Sequence, residues 1–447
     1  MERRIFSLIK YNNPFITKIP VGQCSGKVLM SPPARGKTRV AQSMYSLAIY
    51  LYMICAHIVS FFSKKVKLMT EGQRNTWRIL RKEVGNDSYV WFHAASLGEF
   101  EQGRPLMERL RREHPEKKIL LTFFSPSGYE VRKNYDGADI VCYLPFDTPL
   151  NARKFIRLAH PEAAFFIKYE FWRNYIDVLY HHNIPVYSVS SIFRENQIFF
   201  RWYGRKYARC LNRIAHFFVQ NEKSRELLST IGVTNVTIVG DTRFDRVIDI
   251  MNAAKPLPLV EKFAQNTRMF VAGSSWQPDE DIIIPYFNAH PELKIVLAPH
   301  VVSEDHLREI ESKLKRPFVR YTEATEENVA KADCLIINCY GLLSSIYRYA
   351  EVAYVGGGFG VGIHNVPEAA VYGVPVIIGP NNKKFQEAQF LLKNGGCREI
   401  HNADDFNGLM DLFLTDAAAL QKSGKASGEY IAQNSGAADI IFKHIYG

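Results

Sequence analysis

From residue 89 onward, short apolar runs recur along this chain, and within each run the apolar residues are consecutive rather than alternating with polar ones. Seven fall in the first half, at 89–93, 119–123, 140–144, 164–167, 186–189, 217–219 and 236–239. A second set occupies 269–272, 294–298, 334–337, 352–355 and 376–378. Continuous Val/Ile/Phe runs mark strands covered on both faces. The stretches between them are helical in pattern, which predicts parallel βαβ units. The segment Ala253-Ala254-Lys255-Pro256-Leu257-Pro258 separates the two sets. The expected fold is therefore α/β, with two doubly wound domains over 66–252 and 259–447 facing each other across a cleft. A chain of 447 residues is long enough for two cores, and a cleft between lobes is the default binding site.

Upstream, Val40 to Ser63 contains no Asp, Glu, Lys or Arg. This predicts a membrane-anchor helix over 44–65. The length suffices to span a bilayer, and the aromatics Tyr45, Tyr50, Tyr52, Phe61 and Phe62 suit its interfaces. Lys64, Lys65 and Lys67 follow at once and would hold the body on the cytoplasmic side. His57 and Ser60 interrupt the span, so a helix lying in one leaflet is the second reading, and a buried core helix the third. Residues 1–43 show no periodicity and contain Pro14, Pro20, Pro32 and Pro33, so they read as a basic unstructured extension. Met44 is then a candidate start.

The net charge of +11 suggests nucleic acid until it is located. Residues 1–43 carry +7 and the remainder only +4, so a polyanion-binding body is not expected. An apolar content of 47% excludes a disordered chain. The seven cysteines are odd in number and none has CxxC spacing. That pattern points to a reducing compartment, with no disulfide framework and no zinc site.

The candidate chemistry sits at strand ends, where open α/β sheets bind ligands. Ser96-Leu97-Gly98-Glu99 lies between a strand and a helix. Glu99 is placed there to accept a proton from a hydroxyl, or only to complement the helix N-terminus. Thr122-Phe123-Phe124-Ser125-Pro126-Ser127-Gly128 opens another helix and fits a phosphate, the hydroxyls of an acceptor or simple capping. Glu170 is flanked by Lys168 and Arg173, and a surface ion pair is its plain alternative. Arg243 fits beside a leaving phosphate or in a salt bridge to Asp241 or Asp245. Gly356 to Gly362 holds five glycines after a strand and precedes a helix starting near Pro367 and ending at Gly373. Such a loop suits a phosphate, and Glu368 suits ribose hydroxyls. No Gly-Lys-Ser/Thr follows, and the loop lacks the early position and downstream acid of a dinucleotide fingerprint, so ATP and NAD fit less well than a nucleotide-linked donor. Gly273-Ser274-Ser275-Trp276 and Ala298-Pro299-His300 are further strand-end loops.

Taken in order, these motifs resemble the Kdo (3-deoxy-D-manno-octulosonic acid) transferases of lipopolysaccharide synthesis. The resemblance runs from about Met44 to near the C-terminus. Its residues are Ser96 to Glu99, Pro126 to Gly128, Leu144 to Asp147, Glu170 to Trp172, Gln220 to Glu222, Arg243 to Asp245, Val355 to Gly357, His364-Asn365, Glu368 to Ala370 and Gly379-Pro380. It implies a GT-B fold of two Rossmann-like domains with an N-terminal membrane anchor. It also implies transfer of Kdo from CMP-Kdo to a lipid A precursor (lipid IVA) at the inner membrane, with no cofactor, metal or nucleic acid. Glu99 would be the proton acceptor, and Glu170 and Arg243 would stabilise the transition state. CMP would meet Pro299, His300, Tyr340, Gly341, Leu342, Asn365, Val366, Pro367 and Glu368. The chain departs from the family pattern at three of these positions. His300 stands where arginine is usual, Leu342 where glutamate is common, and Arg243 where lysine is frequent. A nucleotide-sugar epimerase of the same fold and a non-catalytic membrane scaffold are the competing expectations.

Overall fold

The computed structural model describes residues 38–265 and 267–447, so residues 1–37 of the expected extension lie outside the described residues. The first sheet contains β1 (Tyr89–Ala94), β2 (Lys118–Phe123), β3 (Ile140–Tyr143), β4 (Pro161–Ile167), β5 (Val186–Ser191), β6 (His216–Val219) and β7 (Val236–Ile238). Their order is β3-β2-β1-β4-β5-β6-β7. The second contains β8 (Arg268–Ser275), β9 (Leu293–Pro299), β10 (Phe318–Arg320), β11 (Cys334–Ile336), β12 (Val352–Val355), β13 (Val376–Ile378) and β14 (Cys397–Glu399). Its order is β10-β11-β9-β8-β12-β13-β14, and every pairing in both sheets is parallel. All the strands read from the apolar runs are present. The two that were not read, β10 and β14, are three-residue edge strands carrying Arg320, or Arg398 and Glu399, so no apolar run marks them.

Each sheet is covered on both faces, as the continuous runs require. In β1, Trp91 packs into one cluster with Leu120 and Phe166. Its neighbours Val90 and Phe92 pack into another, with Leu121 and Phe165. In the first sheet the chain builds outward from β1 to β3, and in the second it passes from β9 to the edge strand β10 before inserting β11 between them; each chain half then returns to the other side of its first strand. The order therefore reverses between β1 and β4, and between β8 and β12. Loops leaving the strand ends diverge there and open a crevice.

Helix α1 spans Thr38–Val59 and α2 spans Lys64–Glu83. The helix expected over 44–65 therefore runs over 38–59 instead, and it takes in residues 38–43 of the expected unstructured extension. The chain turns at 60–63, where Ser63 caps α2 by accepting from the Val66 amide. One side of α1 is held by the first lobe. Ala56 packs with Met69, Tyr143 and Phe146, and Ile49 and Met53 lie against them. The Tyr45 hydroxyl donates to the buried Asp147 carboxylate at 2.7 Å. The other side exposes Met44, Leu47, Leu51, Ile54 and Ile58, and in the turn Phe61 and Phe62 are 83% and 86% exposed. Among the described residues, no helix is long and apolar enough to cross a membrane.

The chain passes between lobes at Gly240–Thr242, ahead of the proline-containing segment 253–258. The helix Arg243–Ala253 already places Phe244 and Val247 in the second lobe's core. The last helix, Ala437–Tyr446, returns to the first lobe, where Ala437, Ile441 and Phe442 pack with Phe92, Leu106 and Phe165. The two crossings lie side by side, because Asp245 accepts hydrogen bonds from the Gly436 and Ala438 amides. The range 259–447 expected for the second domain thus includes a helix that belongs to the core of the first.

Candidate active site

The first lobe gathers its chemistry at the β1/β4 reversal. Helix α3 (Leu97–Glu113) begins right after β1, with Glu99 in its first turn. Glu99 is half-buried and accepts a hydrogen bond from the Ser96 hydroxyl. The Tyr169 hydroxyl, just past β4, is pushed above its ordinary range by burial, and the Glu99 and Asp241 charges add to this. Those two carboxylates therefore share a neighbourhood with Tyr169.

Glu170 is not the solvated surface pair that its flanking cations suggested. Its Oε2 accepts from the Trp172 indole N–H at 2.7 Å and lies 3.2 Å from His93 Nε2. His93 sits one residue before the end of β1 and is fully buried. Sequence reading passed over it as part of an apolar run. The available signal was a lone imidazole at the carboxyl end of a strand.

Arg243 follows β7, and its fork is engaged by Asp241, with Nε at 3.0 Å and Nη2 at 2.8 Å from Oδ2. The salt bridge to Asp241 is thus realised, while Asp245 caps the final helix. Burial alone would raise the Asp241 carboxyl, but the Arg243 charge and hydrogen bonds from Arg243 and Gln102 hold it below its ordinary value. Arg243 Nη1 reaches across to Glu387 of the second lobe at 3.4 Å. Ser125 and Ser127 bond to each other at the start of helix α4 (Pro126–Arg132), and Ser125 accepts from the Ser127 amide, so capping is the role seen.

The second lobe's candidates surround the β8/β12 reversal. Trp276 follows β8, His300 follows β9 and His364 follows β12. The His300 ring stacks on Trp276 at 4.8 Å and on His364 at 4.3 Å. The Trp276 indole N–H donates to His364 Nε2 at 3.1 Å. Burial, and then the His300 charge, hold His364 below the ordinary imidazole value. Glu368 is half-buried, accepting from Ser344 at 2.8 Å and from Asn365 at 2.7 Å. That pair of bonds ties the loop after β11, with Gly341 and Leu342, to the loop after β12. Pro299, Val366 and Pro367 are buried, Asn365 is exposed, and Tyr340 is 78% exposed.

Two features of the glycine loop differ from expectation. The helix it opens is only Val366–Ala370, five residues, too short for a substantial dipole. The glycines serve the fold first. A Cβ on Gly356 would lie 2.3 Å from the Ser274 carbonyl oxygen, and one on Gly358 would lie 2.5 Å from the Gly379 Cα. The Gly357 amide points inward to the buried Asp279 carboxylate at 2.9 Å. Asp279 also accepts from the Trp276 amide and the Tyr354 hydroxyl, at 2.9 and 2.6 Å.

Among the described residues, no group of three or more His, Cys, Asp or Glu could hold a metal ion. A groove of about 550 Å³ lies apart, at the β3 edge between α2 and α4, and contains none of these strand-end residues.

Comparison with known proteins places this arrangement. Residues 64–246 match the family model described as 3-deoxy-D-manno-octulosonic-acid transferase (kdotransferase). A 3-deoxy-D-manno-octulosonic acid transferase of Aquifex aeolicus is 29% identical over 320 residues, covering 70% of this chain and 82% of the relative. The Haemophilus influenzae protein of the same name is 26% identical over 364 residues, covering 78% and 84%. Among solved structures, UDP-GlcNAc 2-epimerase from Neisseria meningitidis superposes with a TM-score of 0.54 at 14% identity, over 79% of this chain and 98% of the epimerase. At that identity the likeness concerns the two-lobed fold alone.

Proposed function

We propose that this chain, which belongs to the 3-deoxy-D-manno-octulosonic-acid transferase family, moves Kdo from CMP-Kdo onto a lipid A precursor in lipopolysaccharide synthesis. The observation that carries the reading is the pairing of two strand reversals. Glu99 and Glu170 follow the strands at one, with Arg243 linked to helix α3 there through Asp241 and Gln102, and His300, His364 and Glu368 follow the strands at the other.

In this reading CMP lies on the second lobe. Glu368, oriented by Ser344 and Asn365, accepts from the ribose hydroxyls, and the phosphate faces His300 and Trp276. The acceptor hydroxyl lies against Glu99, which takes its proton as the oxygen attacks the anomeric carbon of Kdo. The bond from that carbon to the phosphate oxygen breaks, and CMP leaves as an anion. A positioned base is worth typically about 10²–10⁴-fold in rate. The Arg243 guanidinium, held between Asp241 and Glu387 of the second lobe, supplies positive charge to the departing phosphate.

Support for a lipid acceptor comes from α1. Its outward apolar face, the exposed Phe61 and Phe62, and the exposed Lys64, Lys65 and Lys67 suit a helix lying in the cytoplasmic leaflet of the inner membrane. An aromatic series joins that helix to the mouth. Tyr52 meets Phe146 at 5.6 Å, Phe146 meets Phe124 at 6.0 Å, and Phe124 meets Trp172 at 4.9 Å.

The test is incubation of the full chain with CMP-Kdo and lipid IVA, with mass spectrometry of the lipid. A product one or more Kdo units heavier is expected, and its absence overturns the reading. Glu99→Gln should lower kcat by about 10²–10⁴-fold with an unchanged melting temperature. Full activity in that variant removes the base assignment.

A further inference from the structure

The Glu170 carboxylate is gripped through one oxygen. Its Oε2 faces two ring nitrogens, Trp172 Nε1 at 2.7 Å and His93 Nε2 at 3.2 Å. Among the described residues, Oε1 has no recorded partner. Behind His93 lies a buried series of polar groups. His93 Nδ1 is 2.9 Å from the Thr122 hydroxyl, and the Trp91 indole N–H donates to that same hydroxyl at 2.8 Å. His93, Thr122 and Trp91 are all fully buried.

The Trp172 N–H lies 2.7 Å from Glu170 Oε2 and 3.1 Å from His93 Nε2, so indole, imidazole and carboxylate form one cluster. On its other side His93 Nδ1 lies 3.2 Å from the Thr122 carbonyl oxygen as well as beside the Thr122 hydroxyl. Polar partners at both ring nitrogens hold the imidazole in one orientation with either tautomer, and a connected series runs from Trp91 through Thr122 and His93 to Glu170. A fully buried imidazole costs free energy unless its nitrogens are bonded, and here both are. A histidine needed only for packing against Phe166 and Trp91 would have no such series.

We propose that His93 is a positioning residue for the transfer reaction, holding Glu170 through Oε2 so that Oε1 is presented to the sugar. This rests on the reading of Glu170 as part of the transfer machinery. Departure of CMP leaves positive charge developing at the anomeric carbon, as in glycosyl transfer generally. An oxygen fixed beside that carbon stabilises the charge, and one free to rotate does so less.

The experiment compares full-length His93→Leu, His93→Gln, Glu170→Gln and the double variant His93→Leu with Glu170→Gln, assayed for transfer and by thermal melting. Leucine removes both nitrogens, whereas glutamine keeps an N–H donor near the Nε2 position. His93→Leu should lower kcat by about 10- to 100-fold with little change in KM for either substrate. His93→Gln should recover most of that loss. The double variant should be no slower than Glu170→Gln alone, because His93 acts only through that carboxylate. Additive losses, or normal kcat in His93→Leu beside an impaired Glu170→Gln, overturn the positioning role only. A fully active Glu170→Gln overturns the role of Glu170 itself, and the proposal with it. If His93→Leu melts early, Thr122→Val gives the same comparison with the imidazole in place. It should lower kcat alone but not beyond Glu170→Gln, and a normal kcat overturns the proposal.

Discussion

Asp147 is fully buried beneath α1, with its oxygens accepting from the Tyr45 hydroxyl at 2.7 Å and from the Asn174 and Tyr175 amides at 3.0 Å. Burial pushes its carboxyl up to about 7, against those donors. Folding therefore favours the protonated form. The associated stability is present below the unfolded value of 3.8 and is lost as pH rises through about 7. Asp245, raised by burial to about 6, has the same sign. Urea unfolding should show the protein losing on the order of 3 kcal/mol of stability between pH 4 and pH 8 from Asp147. Asp147→Asn should be less stable at low pH but show a flatter slope, and an unchanged slope refutes the assignment. Single residues also show how far local reading goes. Glu99 and Glu170 were recognisable as carboxylates at strand ends, because strand and helix periods locate those ends. The partners of Glu170 were not legible. His93 is 77 positions away, and only the placement of β4 beside β1 brings the two together. For Arg243 both roles were open in the sequence, and the short bonds to Asp241 show the salt bridge, with Nη1 meeting Glu387 of the second lobe.

At the scale of elements, α1 shows what an uncharged run leaves open. Spanning, lying flat and core burial all suit such a run. The structure divides the helix along its length, with Ile49, Met53 and Ala56 turned to the first lobe and Met44, Leu47, Leu51, Ile54 and Ile58 turned outward. Leu47→Asp with Leu51→Asp should leave folding intact, since both side chains are exposed. The pair should weaken binding to anionic vesicles by at least about tenfold, from lost apolar burial and added repulsion. Unchanged sedimentation with vesicles would rule out the face as an anchor. The glycine loop illustrates the converse. Its composition was read as room for a ligand, but the close neighbours at Gly356 and Gly358 are the last residues of β8 and the loop after β13. The edge strands β10 and β14 were missed for a related reason, since three residues bearing charges at a sheet margin carry no periodic signal.

Across the whole molecule, the lobes are joined twice within one small region, at Gly240–Thr242 and at Ser435–Gly436. Phe442, near the C-terminus, fills the first lobe's core and lies under the Arg109 guanidinium at 4.6 Å. Phe442→Ala should destabilise that lobe by about 3–5 kcal/mol through the cavity it leaves. Thermal melting followed at the first lobe's tryptophans would detect this, and no shift would mean the helix is not part of that core. By itself the sequence determined the class of fold, the number of lobes, twelve of the fourteen strands among the described residues and the strand-end position of the chemistry. All of these follow from burial repeating at short range along the chain. Only the tertiary structure decided the strand order, the double crossing, the two-sidedness of α1 and the grip of His93 and Trp172 on Glu170. Each of these depends on which distant segments become neighbours. Hydrogen bonds and core contacts across such separations are set by how the sheets assemble, a property that no local period records.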